Sequence, residues 1–170
     1  MIVLFGGAAG AGKTTVARLW CRTRKYAVHI QLNEIRNLIV SGLADPQELA
    51  AEQGEQYIHS VNACAALGRS FAVNGYDVAI DDVFEPEPTR KFWQPQLKGL
   101  DVRLIILHPP LETVLSGAAK RKKYVMERHI LAQYKSINEW PLPHFIDSGS
   151  LTPSETLDKV VKILGNATLT

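Results

Sequence analysis

The sequence predicts an α/β fold in three layers, with a five-stranded, mostly parallel sheet covered by helices on both faces. Three observations predict it. Short apolar runs such as Ile2–Phe5, which is unbroken, and Val102–Leu107, interrupted only by Arg103, suit strands buried on both faces. These runs alternate with segments of helical spacing, the order that builds parallel sheets. Glycines also sit where the first strand ends, at Gly6-Gly7.

In chain order, Ile2–Phe5 is the first strand, and helical spacing starts at Lys13, with Val16, Leu19, Trp20 and Thr23 on one face. Ala27–Leu32 reads as the second strand. Asn33–Val40 follows as a helix through Ile35, Leu38 and Ile39, stopping near Gly42. Asp45 as N-cap, Pro46 at the first helical position and Glu48 three residues after the cap open a long helix reaching Asn74. Tyr57, Val61, Cys64 and Phe71 mark its buried side. Gly75 ends it, and Asp77–Asp82 is the third strand, with the Asp81 and Asp82 carboxylates at its C-terminal end.

Phe84-Glu-Pro-Glu-Pro88 reads as a loop, and Thr89–Leu97 as a short helix disturbed by Pro95. Val102–Leu107 is the fourth strand. Helices follow through Leu111, Val114, Leu115 and Ala118, then through Met126, Ile130, Tyr134 and Ile137, with the basic run Lys120-Arg-Lys-Lys123 between them. After Trp140-Pro-Leu-Pro143, His144–Asp147 is the fifth strand. Thr152-Pro-Ser-Glu155 is a capping box for the last helix, through Leu157, Val160, Val161 and Leu164.

The chain of 170 residues, 46% hydrophobic, fits one domain spanning 1–170. A formal charge of +2 from 19 basic and 17 acidic residues gives no global field for nucleic acid. Cys21 and Cys64 lack metal-ligand spacing and suit buried thiols in a reducing compartment. The opening MIVLF is too short for a signal peptide, and no apolar run reaches the length of a membrane span. The expectation is a soluble, cytoplasmic protein without a membrane partner.

The chemistry is concentrated in Gly7-Ala-Ala-Gly-Ala-Gly12-Lys13-Thr14, which satisfies G-x-x-x-x-G-K-[ST] between a strand and a helix N-terminus. Glycines let the backbone curl so that N–H groups converge on a phosphate, and the helix dipole adds positive potential there. This is the P-loop of nucleotide-binding folds. Gly7, Gly10, Ala11, Gly12, Lys13, Thr14 and Thr15 form the candidate nucleotide-binding set, with Lys13 reaching the β- and γ-phosphates of ATP. Thr14 is the candidate Mg²⁺ ligand, and Asp81, at the end of a neighbouring strand, is its carboxylate partner. Asp82 is left to face a phosphate acceptor.

No N-K-x-D pattern specifies guanine, and the chain is short for a typical AAA-type motor, which leaves the small P-loop kinases. Such kinases place a mobile basic lid where this chain has 116–128, with Arg121 and Arg128 as its candidate catalytic arginines. The same run also reads as an ordinary solvated helix surface.

Gly7–Thr14, Asn33-Glu-Ile-Arg36, Val78-Ala-Ile-Asp-Asp82, Ala119–Val125 and Phe145-Ile-Asp-Ser-Gly149 follow one another as in predicted P-loop kinases. The chain thereby resembles polynucleotide 5′-kinase domains, zeta-toxin-like kinases and chloramphenicol phosphotransferase over nearly its whole length. That resemblance implies an ATP- and Mg²⁺-dependent kinase, with position 33 and Arg36 at the acceptor and Asp147–Ser150 near adenine. Two positions depart from it. Polynucleotide kinase-like members carry D-x-x-R where this chain has Asn33 and Arg36, and asparagine cannot take a proton at neutral pH. Their lid reads R-N-x-x-R, whereas Gly117-Ala-Ala-Lys-Arg121 keeps only the second arginine.

Asp82, then Glu34, are the alternative bases. Tyr57, His59, Asn62, Phe84 and Trp93 are either acceptor-pocket lining or, for the aromatics, ordinary core. The favoured acceptor is a hydroxyl on a small molecule or nucleotide; a polynucleotide end is less favoured because no basic groove is evident. A nucleotide-binding module or slow ATPase with a degraded site, and a nucleoside monophosphate kinase, remain as alternatives. Oligomeric state is not legible.

Overall fold

Ile2–Gly6 forms β1, and its apolar side chains are all buried because the strand has a neighbour on each edge and helices on each face. In the computed structural model, which describes residues 1–45, 51–120, 125–141 and 145–166, the sheet has five strands in the order β2-β3-β1-β4-β5. The others are β2 (Ala27–Gln31), β3 (Asp77–Asp81), β4 (Val102–Leu107) and β5 (Phe145–Ile146). All the pairings are parallel. The chain leaves β1 toward one edge and β4 toward the other, so a crevice opens at the carboxyl ends of these neighbours.

Helix α1 (Lys13–Arg22) covers one face, packing Trp20 against Phe5 with ring centroids 6.0 Å apart, and α8 (Pro153–Asn166) packs against α1. Helix α3 (Ala51–Val73) covers the other face, where Gly68 lets it settle onto Val78, Ile80 and Ile30. Alternation along β3 therefore sends Ile80 toward α3 and Asp81 toward α1. Each large apolar side chain buried in these layers contributes about 1.5–3 kcal/mol. Cys64 lies in the core and Cys21 is half-buried, both as free thiols. Among the described residues no helix is long and apolar enough to cross a membrane.

Two elements differ from the sequence reading. The helix expected to Val40 stops as α2 (Leu32–Arg36), after which Leu38 and Ile39 donate to carbonyls only three residues back. Leu38 and Val40, 72% and 98% exposed, have no surface to pack on, so tertiary burial does not sustain the helical pattern. The expected loop at 84–88 is instead helical from Pro86. An α turn, α4 (Pro86–Pro88), runs without a break into a π turn (Thr89–Trp93) and then α5 (Gln94–Gln96).

Pro86 and Pro88 fall in the first turn, where a missing N–H costs little. Pro95 is absorbed by the wide turn before it, in which Gln94 N–H bonds the Thr89 carbonyl five residues back. Residue Phe84, just before, adopts a left-handed φ of 53°, and its carbonyl accepts from the Trp140 indole at 2.8 Å.

The remaining helices are α6 (Leu111–Ala119) and α7 (Glu127–Ile137). The capping box ahead of α8 forms reciprocally, Thr152 N–H to Glu155 Oε2 at 2.7 Å and Glu155 N–H to Thr152 Oγ1 at 3.2 Å. Pro46 and Glu48 of the expected start of α3, Arg121 to Lys123 of the expected lid, and Pro143 and His144 near β5 lie outside the described residues.

Candidate functional site

The phosphate loop leaves β1 and is wedged between β4 and α6. A Cβ on Gly7 would stand 2.4 Å from the Leu107 carbonyl oxygen, and one on Gly10, at φ 104°, 2.2 Å from that of Val114. From the other side, a Cβ on Gly117 would stand 2.5 Å from the Gly10 carbonyl oxygen. Glycine at both places is thus a requirement of contact between two backbones.

Lys13 opens α1 and is buried, its ammonium donating to the Ala8 carbonyl at 3.0 Å. One residue on, the Thr14 hydroxyl donates to Asp81 Oδ1 at 3.2 Å. The two residues expected to share a metal thus meet at the N-terminus of a helix, because Asp81 pairs with Phe5 in the sheet and points to the α1 face. Thr15 is exposed, with its N–H bonded to the Gly12 carbonyl.

Asp81 also has a partner the sequence reading missed. His29 Nε2 lies 2.5 Å from Asp81 Oδ2. In the β2–β3 register His29 stands opposite Ala79, whose small side chain lets the imidazole lean along the strand to the next residue on that face. The signal was the parity of His29 and Asp81 on adjacent strands, which is readable only once strand order is known.

Asp82 faces the opposite side. Tyr57 of α3 donates to its Oδ2 at 3.1 Å, and the Trp93 indole donates to the Tyr57 hydroxyl at 3.3 Å. Burial pushes the Asp82 carboxyl up to about 6, against lowering by the Val83 amide and the Lys13 charge. Burial, with Asp82 second, also raises Tyr57 well above an ordinary phenol, so it remains a donor.

Of the other residues considered for an acceptor pocket, Phe84 and Trp93 are core, fully buried with ring centroids 4.9 Å apart. His59 is exposed, and Asn62 is an exposed acceptor for Gln96. Asn33 and Glu34 are exposed on α2. Arg36 is buried and donates to the Ala44 carbonyl, tying down the segment after α2, while its Nε has no partner among the described residues. Burial lowers its pKa, and Asp45 opposes that. Arg128 is exposed on α7. A further residue absent from the sequence reading, Gln133 of α7, accepts the Ala9 N–H of the loop at 3.1 Å.

Along most of the chain, residues 2–139 match the family described as the AAA domain. The chain belongs to the AAA domain family. Membership fixes the phosphate-loop α/β class. Among curated proteins no match was found.

Solved structures similar in fold to this AAA-domain chain include a tunicamycin resistance protein from Deinococcus radiodurans, 18% identical with a TM-score of 0.70, covering 98% of this chain and 96% of that one. A sugar kinase from Janibacter sp. HTCC2649 is 18% identical with a TM-score of 0.68, covering 98% and 95%. A gluconokinase from Sinorhizobium meliloti 1021 is 14% identical with a TM-score of 0.67, covering 96% and 90%. At such identities the likeness is one of fold, a P-loop kinase-like fold with kinases among its neighbours.

Proposed function

We propose that this chain is an ATP-dependent phosphotransferase acting on a hydroxyl of a small molecule. The observation that carries the reading is the convergence of Lys13, Thr14 and Asp81 on one loop mouth, with a second carboxylate, Asp82, beside it on the other face of the strand end. A phosphoryl group needs charge neutralisation and alignment more than covalent help.

Lys13 supplies a desolvated ammonium, and the N-terminus of α1 supplies the positive end of the helix dipole. The Thr14 hydroxyl and Asp81 carboxylate oxygens, 3.2 Å apart, fit Mg²⁺, which is held by one or two protein oxygens with phosphate and water completing its shell. Held by Thr14 and Asp81, Mg²⁺ would neutralise negative charge on the phosphates.

Asp82 takes the role that Asn33 cannot fill. Its carboxyl, raised to about 6, is ionised at neutral pH and more basic than an ordinary aspartate, and Tyr57 holds its Oδ2 in place. The acceptor hydroxyl would pass its proton to the Asp82 carboxylate as its oxygen bonds the γ-phosphorus and the bond from that phosphorus to the β,γ-bridging oxygen breaks, so that ADP leaves. A sugar or polyol is the first acceptor class to try, since two fold neighbours are described as a sugar kinase and a gluconokinase, an argument by analogy of fold. Arg121 and Arg128 are the proposed arginines of the lid over the transferring phosphate.

The test is transfer of the γ-phosphate from ATP to a panel of sugars, polyols, nucleosides, nucleoside monophosphates and a 5′-hydroxyl oligonucleotide, followed by phosphorus NMR. A phosphomonoester that disappears with Lys13→Ala supports the reading. Release of inorganic phosphate alone, whatever the acceptor, refutes it and favours a slow ATPase, the second reading that exposed, neutral Asn33 keeps open.

A further inference from the structure

The phosphate loop is gripped from outside at one peptide unit, and that unit carries the resting place of its lysine. The Ala8 carbonyl accepts the Lys13 ammonium at 3.0 Å and the Ala11 N–H at 3.1 Å, while the Ala9 N–H of the same peptide donates to Gln133 Oε1 at 3.1 Å. In a trans peptide the carbonyl and N–H point in opposite directions, so these contacts hold both ends of one rigid plate. Gly7 and Gly10 flank the pair with φ of 141° and 104°, the backbone freedom that would otherwise let the plate turn.

Gln133 is itself fixed. It lies between Ile130 and Ile137, three residues after one and four before the other, on the buried face of α7. Lys13 is only 5% exposed, and a desolvated ammonium needs its acceptors held in place. Donation by the Ala9 N–H also polarises the peptide and makes the Ala8 oxygen a better acceptor. A neutral carboxamide does this without placing a carboxylate next to a site that must admit phosphate.

We infer that Gln133 is a positioning residue for Lys13, acting through the Ala8–Ala9 peptide, so that α7 sets where the phosphate-binding ammonium stands. The inference rests on the proposed role of Lys13 toward nucleotide, and its test has one arm that needs no nucleotide. In the full-length protein, Gln133→Met keeps the side-chain length and removes the acceptor. Acylation of Lys13, followed by peptide mass spectrometry, should accelerate about 5- to 10-fold relative to the exposed Lys98 and Lys159, the loss of one hydrogen bond's worth of hold. Gln133→Glu, which keeps an acceptor, should restore the slow rate.

In the second arm, Gln133→Met should weaken ATP binding by about the same factor in the wild-type background and leave it unchanged in a Lys13→Met background, as required of two residues acting as one unit. Unchanged Lys13 acylation, no rescue by Gln133→Glu, or equal losses of affinity in both backgrounds would overturn the inference. If the wild-type protein binds no ATP, the proposed function falls while the acylation arm still decides the role of Gln133.

Discussion

Replacing Gly117 with alanine tests the contact on which the shape of the phosphate loop depends. Gly117 is helical, in α6, and a helical glycine changed to alanine in open space gains about 0.5–1 kcal/mol from backbone entropy and propensity. Here the new Cβ would stand 2.5 Å from the Gly10 carbonyl oxygen and 3.3 Å from its carbon. The obstacle is backbone, itself pressed on Val114, so it cannot rotate away.

Overpacking of this kind costs about 1–3 kcal/mol, and an unyielding neighbour places it at the top of that range. Subtracting the helical gain leaves a net loss of about 2 kcal/mol, or a fall in Tm of about 4–8 °C for a chain of this size. Gly54→Ala is the internal control. Gly54 is also helical, in α3, but nothing lies within 4 Å of where its Cβ would stand, so that variant should be more stable than wild type by about 0.5–1 kcal/mol. Chemical denaturation and thermal melting of both variants read the two signs. Gly117→Ala matching Gly54→Ala in stability would refute the close approach of α6 to the loop.

Two further predictions concern groups away from the loop. Hydrogen bonds from Thr152 hold the Glu155 carboxyl below its ordinary value of 4.5, so its contribution to stability is complete above that value and is lost as pH falls through the lowered one. Urea titrations between neutral and acid pH should show Glu155→Gln less stable than wild type at neutral pH and the gap closing on acidification. A gap independent of pH would contradict it. Burial pushes the Cys21 and Cys64 thiols up to about 11 and about 12, which leaves almost no thiolate at neutral pH. Alkylation of the native protein should therefore be slow at both and rise sharply in denaturant, and rapid labelling of Cys64 in the folded protein would show that the α3 packing is wrong.

The strands were legible because a sheet buried on both faces leaves a nearly unmixed apolar run, as in Ile2–Phe5 and Val102–Leu107. The loop was legible because its chemistry is local in sequence. The pairing of Thr14 with Asp81 could be argued across 67 positions because one lies at a helix start and the other at a strand end, and a parallel sheet brings such ends together. His29 and Gln133 were not legible for the opposite reason. Each acts through a neighbour set by strand order or helix docking, and neither stands out in its own segment. Helical structure at Pro86–Pro88 was missed because proline was read as a breaker, when at a first turn it is tolerated.

The wide turn at Thr89–Trp93 has a consequence for how relatives of this chain differ in length. A π turn is an α-helix with one residue too many, and the surplus rotates everything after it by about a quarter turn relative to everything before. Trp93, Gln96 and Leu97 occupy their places because of that rotation, the first against Tyr57 and the second against Asn62. A variant lacking a single residue in this segment would keep a continuous helix yet turn the tryptophan away from the tyrosine. Alignments of relatives should place a one-residue gap here wherever the tryptophan is absent, so that the count of residues between Asp82 and this side chain becomes a marker of who shares the same neighbourhood around the second carboxylate.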